Sequence, residues 1–335
     1  MSSISKRVIL FSSSLIGAYH KDILVGASRY AKENNITLLA YTGGPIKAGI
    51  KSLNMRTAIY SAFDPETVDG VILPVSSMSR FVSEEEFSAF CEVFHGVPIV
   101  SLGTPFKDYP TVKPDYLEGM ARIVDHLVQV HGRKKILLFR GKESHRSSIE
   151  REAGYKMGLA RNGIKFDEKY VFKGTLVWDE DSEQLAQFLT EKGIFFDALV
   201  AVNDNSAIRI IGLLGNMGYS VPNDISVVGF QGIADGEFSA PSLSTMDEVT
   251  QELGYRALNV LDSLMAGQKV SSKTVVETRF IRRRSCGCRG VKDAQVERDQ
   301  SSGDSQIQEQ RNDHLKEQVN RLKNTINLFR PKFEF

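Results

Sequence analysis

Residues 196–230 read FDALVAVNDNSAIRIIGLLGNMGYSVPNDISVVGF, and their order decides the fold. The apolar run 198–202 has the length and continuity of a strand buried on both faces. Asn203 and Asp204 stop it and supply side chains of the kind that cap a helix start. Apolar residues at helical spacing follow through 207–214. Gly218 stands where a helix end takes a left-handed residue. DISVVGF (224–230) is then a second apolar strand. Strand, helix, strand is a βαβ unit, and such units build parallel sheets.

The same alternation runs outward on both sides. RVILFS (7–12), ITLLAY (36–41), DGVILPV (69–75) and VPIVSLG (97–103) are strand-like, separated by amphipathic segments. KKILLFRG (134–141) and YVFKG (170–174) begin a second set that the opening stretch completes. Downstream, 249–267 is a long amphipathic helix closed by Gly267, and SKTVVETRFIRR (272–283) reads as a final strand. The expected architecture is α/β, with two doubly wound parallel-sheet lobes joined near 131–134 and a cleft between them. Residues 1–288 form that body. Lobe one takes about 7–131 and 243–268, lobe two about 133–242 and 272–284. In open α/β sheets, ligands bind beyond the carboxyl ends of the strands.

Past 288 the chain turns polar. Leu315, Val319, Leu322, Ile326 and Phe329 then mark a short heptad seam, so 289–335 reads as a linker and a C-terminal coiled-coil helix in a dimer. The 335 residues are 41% hydrophobic and 25% charged, with a formal net charge of +1, so no global field favours nucleic acid or anionic lipid. The excess positive charge sits from Arg279 onward, with 13 Lys/Arg against 8 Asp/Glu. Three cysteines, no secretory leader and no run of about 18 apolar residues point to the cytoplasm and to no membrane span.

Candidate chemistry gathers at the strand ends. Ser13 follows the first strand, and Tyr19 lies in the loop-to-helix segment after it. Either the hydroxyls and the ring meet a polar ligand, or they cap and turn the chain. Asp115 before YLEGMARIV is either a helix N-cap or a carboxylate for ligand hydroxyls. Arg151 sits early in a helix, where the dipole disfavours a cation. It faces an anionic or hydroxyl-rich partner, or pairs with Glu150 or Glu152. Trp178, the one tryptophan, either stacks on a ligand or caps a core. Asn203 and Asp204 are N-cap types at a strand end.

An enzyme is not expected. No nucleophile–base spacing appears, no Gly-rich phosphate loop follows the first strand, and the six histidines show no metal-ligand spacing. No cofactor or metal is expected. Cys286-Gly-Cys288 holds half a tetrahedral site, which a dimer partner could complete. Reduced structural thiols are the favoured reading.

These segments together resemble the ligand-binding body of the lac-repressor family, a type I periplasmic-binding-protein-like fold. The similarity runs over about 7–284. It is carried by the Asn-Asp helix with VPNDISVVGF, by PSLSTM (241–246), by REAGYKMGLARNGI (151–164) and by VKPDYLEGMARIVDHLVQVHGRKKI (112–136). The resemblance implies ligand contacts at Ser13, Tyr19, Asp115, Arg151, Trp178 and Asn203, with Asp204 an N-cap. Where relatives have a ligand-binding Asp after VVGF, this chain has Gln231, whose amide both donates and accepts. The family starts with a DNA-binding helix-turn-helix, whereas this chain starts at its first strand. The expectation is therefore a cytoplasmic sensor of a sugar- or nucleoside-like ligand. It passes its signal through the C-terminal helix to an output domain or partner. A transcription regulator acting on DNA is the alternative.

Overall fold

Among the described residues, twelve strands form two sheets. They are β1 (Lys6–Ser12), β2 (Ile36–Thr42), β3 (Gly70–Pro74), β4 (Ile99–Leu102), β5 (Thr111–Pro114), β6 (Ile136–Arg140), β7 (Val171–Lys173), β8 (Ala198–Ala201), β9 (Ser226–Gln231), β10 (Ser244–Asp247), β11 (Lys273–Val276) and β12 (Arg279–Ile281). The computed structural model describes residues 6–288 apart from 13–17, 50, 142–145, 176–177 and 192. The predicted heptad seam at 315–329 lies outside the described residues.

The first sheet has the order β11-β5-β4-β3-β1-β2 and is parallel throughout. The second has the order β12-β10-β9-β8-β6-β7, with β12 antiparallel to β10 and the rest parallel. Both are doubly wound, as the alternation predicts. Every residue of β3, β4, β5, β6 and β8 is buried. Successive side chains point to opposite faces, so each strand feeds two cores. Val8 and Leu10 enter one cluster, Ile9 and Phe11 another. In the second sheet, Ala198 and Val200 part in the same way from Leu199 and Ala201.

The helix Tyr116–Gln129 buries Tyr116, Gly119, Met120, Ile123, Val124 and Leu127 along one stripe. That stripe packs against the helix Arg146–Arg161, at Gly154 and Gly158. A Cβ on Gly154 would meet the Leu117 carbonyl oxygen at 2.2 Å, and one on Gly158 would meet Val124 Cβ at 2.7 Å. Only a bare Cα lets the helices come this close.

Three sequence expectations change here. First, the helix Tyr116–Gln129 shares the core of the second sheet rather than the first. The passage between lobes therefore falls at Asp115, not near 131–134. Second, residues 244–247 are β10 of the second sheet, so lobe one regains the chain only with the helix Thr250–Met265. Third, 272–283 is two strands: β11 closes the first sheet and β12 the second. Glu277 and Thr278 form a further crossing. A short apolar run shows that a strand exists but not which sheet it joins. Strand β5, in YPTVKP, lacked a long apolar run to announce it.

Candidate functional site

The three crossings lie at the carboxyl ends of the strands, on the floor of the cleft. At the first, Asp115 caps the helix Tyr116–Gln129 by accepting from Glu118 N at 3.0 Å with Oδ1, and its own N–H donates to Val276 O at 2.9 Å. Oδ2 has no hydrogen-bond partner among the described residues. At the second, Asp247 Oδ1 accepts from Val249 N at 2.8 Å while Oδ2 pairs with Arg279 at 2.7 Å. Glu248 between them is fully buried.

Arg151 extends from the helix Arg146–Arg161 to this floor. Its guanidinium lies in the corner formed by two rings, 4.6 Å from the Tyr116 centroid and 4.4 Å from that of Phe230. Nη1 donates to Val202 O at 2.7 Å, and Nη2 forms an ion pair with Glu248. Nε is buried without a partner among the described residues. The alternative reading, a surface pair with Glu150 or Glu152, does not hold among the described residues. Glu150 pairs with Lys113, and Glu152 with Arg140 and Lys156. Burial raises the Glu248 carboxyl from 4.5 to about 7, against the pull of Arg151. Burial, with the Glu248 charge added, also pushes the Tyr19 phenol up.

Asn203 caps the helix Asp204–Asn216, Oδ1 accepting from Ser206 N at 2.7 Å. Asp204 is not the N-cap. It is buried and turned back to the loop after β9. There Oδ2 accepts from Gly232 N at 2.8 Å and Ile233 N at 2.9 Å, and Oδ1 accepts from Thr245 Oγ1 at 2.6 Å. Burial raises its carboxyl, with these hydrogen bonds opposing. The brace holds Gln231 at φ 134°, a backbone region that side chains other than glycine rarely occupy. Gln231 and Tyr19 line one cavity of about 300 Å³, together with Asp247, Val249 and Arg279. The Tyr19 hydroxyl sits against Gly103, just past the end of β4.

Of the residues offered by the sequence, Tyr19 and Gln231 line this cavity, Asp115 and Asn203 lie at the first crossing and just past the end of β8, and the Arg151 guanidinium reaches the Val202 carbonyl beside Asn203. Ser13 lies outside the described residues. Trp178 opens the helix Trp178–Glu191, and its side chain is outside the described set. Glu248, Tyr116 and Phe230 were missed from sequence. The two rings directly adjoin Asp115 and Gln231 in the chain, and that adjacency was the available signal. A further cluster joins the Cys286 and Cys288 pair, which the sequence offered as half a tetrahedral site for a dimer partner to complete, to His126 and His131 of the same chain, which the sequence did not offer. It is roughly 16 Å from Asp115 along the helix, at 1.5 Å per residue. Histidines five residues apart showed no ligand spacing because their partners stand 157 to 162 residues further along the chain.

A family model described as a periplasmic binding protein-like domain matches residues 124–286. The HTH-type transcriptional regulator AscG of Escherichia coli is 30% identical over 271 residues, which cover 80% of this chain and 77% of AscG. The crystal structure of the E. coli repressor ascG superposes with a TM-score of 0.62 at 28% identity, covering 84% of this chain and 99% of that one. A transcriptional regulator CelR–cellobiose complex shares the fold, with a TM-score of 0.69 at 22% identity, covering 84% and 85%. So does the lac repressor dimer bound to operator and an anti-inducer, with a TM-score of 0.68 at 21% identity, covering 85% and 82%. Among the described residues no helix is long and apolar enough to cross a membrane. Its body is a ligand-binding one rather than that of an enzyme, and the chain belongs to the lac-repressor family of transcription regulators.

Proposed function

We propose that the chain is the effector-binding body of a cytoplasmic transcription regulator that takes a small, hydroxyl-rich molecule, a sugar or nucleoside, between its lobes. The observation that carries this reading is the set of polar atoms left over at the cleft floor. Arg151 Nε is buried and unpaired against two rings, Asp115 Oδ2 has no partner among the described residues, and Gln231 lines the cavity. Buried polar atoms are normally satisfied, so Arg151 Nε calls for an acceptor, and half-buried Asp115 and Gln231 offer further hydrogen bonds to hydroxyls. The cellobiose complex of the CelR regulator, of the same fold, supports a sugar.

Asp115 and Asn203 contact the ligand with the side-chain atoms their capping bonds leave over, and Ser13, Tyr19 and Trp178 complete the contacts. The ligand acts by binding one arrangement of the lobes better than the other. The operator-bound lac repressor dimer supports an output at DNA by a homodimer.

Calorimetric titration with a panel of sugars and nucleosides tests the site. The expected result is micromolar binding by one compound, weakened at least about tenfold in Asn203→Ala and in Trp178→Ala, as loss of a ligand-facing hydrogen bond or stacking face requires. Unchanged affinity in both variants defeats the site assignment. The second reading, transmission through 289–335 to a partner protein, rests on the heptad seam. It predicts that removing 289–335 dissociates the dimer.

A further inference from the structure

We propose that His126, His131, Cys286 and Cys288 form a tetrahedral site for a borderline-soft divalent cation of the zinc class, which fastens the C-terminal end of the body to lobe two. His126 stands in the last turn of the helix Tyr116–Gln129, and His131 in the turn just beyond it. Cys286 closes the short helical turn Arg284–Cys286 after β12, and Cys288 follows two residues on.

The four ligand atoms lie within 4.8 Å of one another. His126 Nε2 is 3.1 Å from His131 Nε2, 3.6 Å from Cys286 Sγ and 3.4 Å from Cys288 Sγ. Cys288 Sγ is 3.5 Å from His131 Nε2. A tetrahedral zinc, with bonds of about 2.0–2.1 Å to nitrogen and about 2.3 Å to sulfur, sets N–N edges near 3.3 Å and N–S edges near 3.5 Å. The four edges given match to within about 0.3 Å, and the other two stay within 4.8 Å.

Hydrogen bonds alone do not account for the cluster. One imidazole nitrogen either donates one bond or accepts, yet His126 Nε2 faces a second imidazole nitrogen and two thiol sulfurs at once. Cys286 Sγ also lies 3.4 Å from the Arg283 carbonyl, a contact open to a thiol and lost by a thiolate. Both cysteines are free of disulfides. Gly287 between them has φ 106°, and a Cβ there would stand 3.0 Å from His131 Nδ1. The Cys-Gly-Cys spacing is therefore a requirement of bringing both sulfurs to the imidazoles. Two sulfurs and two imidazole nitrogens in a tetrahedron select zinc over magnesium or calcium. Binding releases one proton from each thiol, and two thiolates with a divalent ion leave the site neutral.

The test is metal analysis of the full chain, purified reduced from zinc-supplemented medium, together with cobalt(II) substitution. The expected result is about one zinc per chain. The cobalt form should show the strong visible bands of a tetrahedral site and thiolate-to-cobalt charge transfer. Cys288→Ser and His131→Gln, both at half-exposed positions, should lose most of the metal and the charge-transfer bands at unchanged circular dichroism. A chelator should lower the wild-type melting temperature by several degrees and leave that of the variants in place. A wild-type chain that takes up no zinc or cobalt, a hydrogen-bonded thiol–imidazole cluster only, overturns the proposal. So do variants that keep full stoichiometry and the wild-type spectrum. None of these readouts depends on the effector, so failure here and failure of the effector site are separable.

Discussion

Arg151 and Glu248 have side chains only 6% and 1% exposed, so each carries its charge into a region that solvates it poorly. Together they are tolerated, whereas removing one strands the other at a cost of about 3–5 kcal/mol. Glu248 also titrates in a useful range. Its folded value is about 7 against 4.5 unperturbed, so between these values the folded chain holds a proton that the unfolded chain has released. Stability from this group therefore falls as pH rises through the window. The unfolding free energy of the wild type, measured by urea titration, should drop relative to Glu248→Gln between about pH 5 and pH 7.5, by an amount on the order of 1–3 kcal/mol. Parallel curves would show that Glu248 titrates normally. Asp204 is raised in the same direction, and since both proteins carry it, the difference curve isolates Glu248. Asn203 and Gln231 were legible because a polar residue ending an apolar run marks a strand end, and Asp115 because an N-cap type stands before an amphipathic helix. Glu248 was not, since its partner lies 97 residues away and nothing local sets it apart from Asp247.

Among the elements, the helices Tyr116–Gln129 and Arg146–Arg161 decide where the arginine goes. Their close approach at Gly154 and Gly158 brings the Arg151 guanidinium onto the Tyr116 ring at the start of the facing helix. Gly154→Ala forces a methyl against the Leu117 carbonyl and should destabilise by about 1–3 kcal/mol, read as a lowered urea midpoint. Gly212 in the helix Asp204–Asn216 has nothing within 4 Å of an added Cβ. Gly212→Ala should raise the midpoint by about 0.5–1 kcal/mol through helix propensity alone. Equal effects of the two would mean that the helices do not touch at Gly154. The existence of these helices was plain from their apolar spacing. Their allegiance was not, because YLEGMARIVDHLVQ presents the same stripe whichever sheet it covers. KTVVETRFI hid a change of sheet for the same reason, as its two strands are separated only by Glu277 and Thr278.

Across the whole molecule, the two sheets share one plan, with the second strand of each at one edge and a strand from the C-terminal segment at the other. Three crossings join them, each a few residues long, and few dihedrals need change for the lobes to approach. Saturation with the effector should shrink the radius of gyration of the body in solution scattering. Binding without any change in scattering would assign the signal to something other than lobe closure.

The crossings also bear on heredity. Lobe one is assembled from 6–114, the helix Thr250–Met265 and β11, and lobe two from the intervening stretch and β12. No single contiguous stretch of coding sequence encodes either lobe. Recombination at one breakpoint therefore cannot exchange one lobe and leave the other whole. Exchange of a whole lobe takes several coordinated breakpoints, whereas point substitution or transfer of the entire body takes no such coordination. A designer seeking a new effector for this protein works under the same restriction.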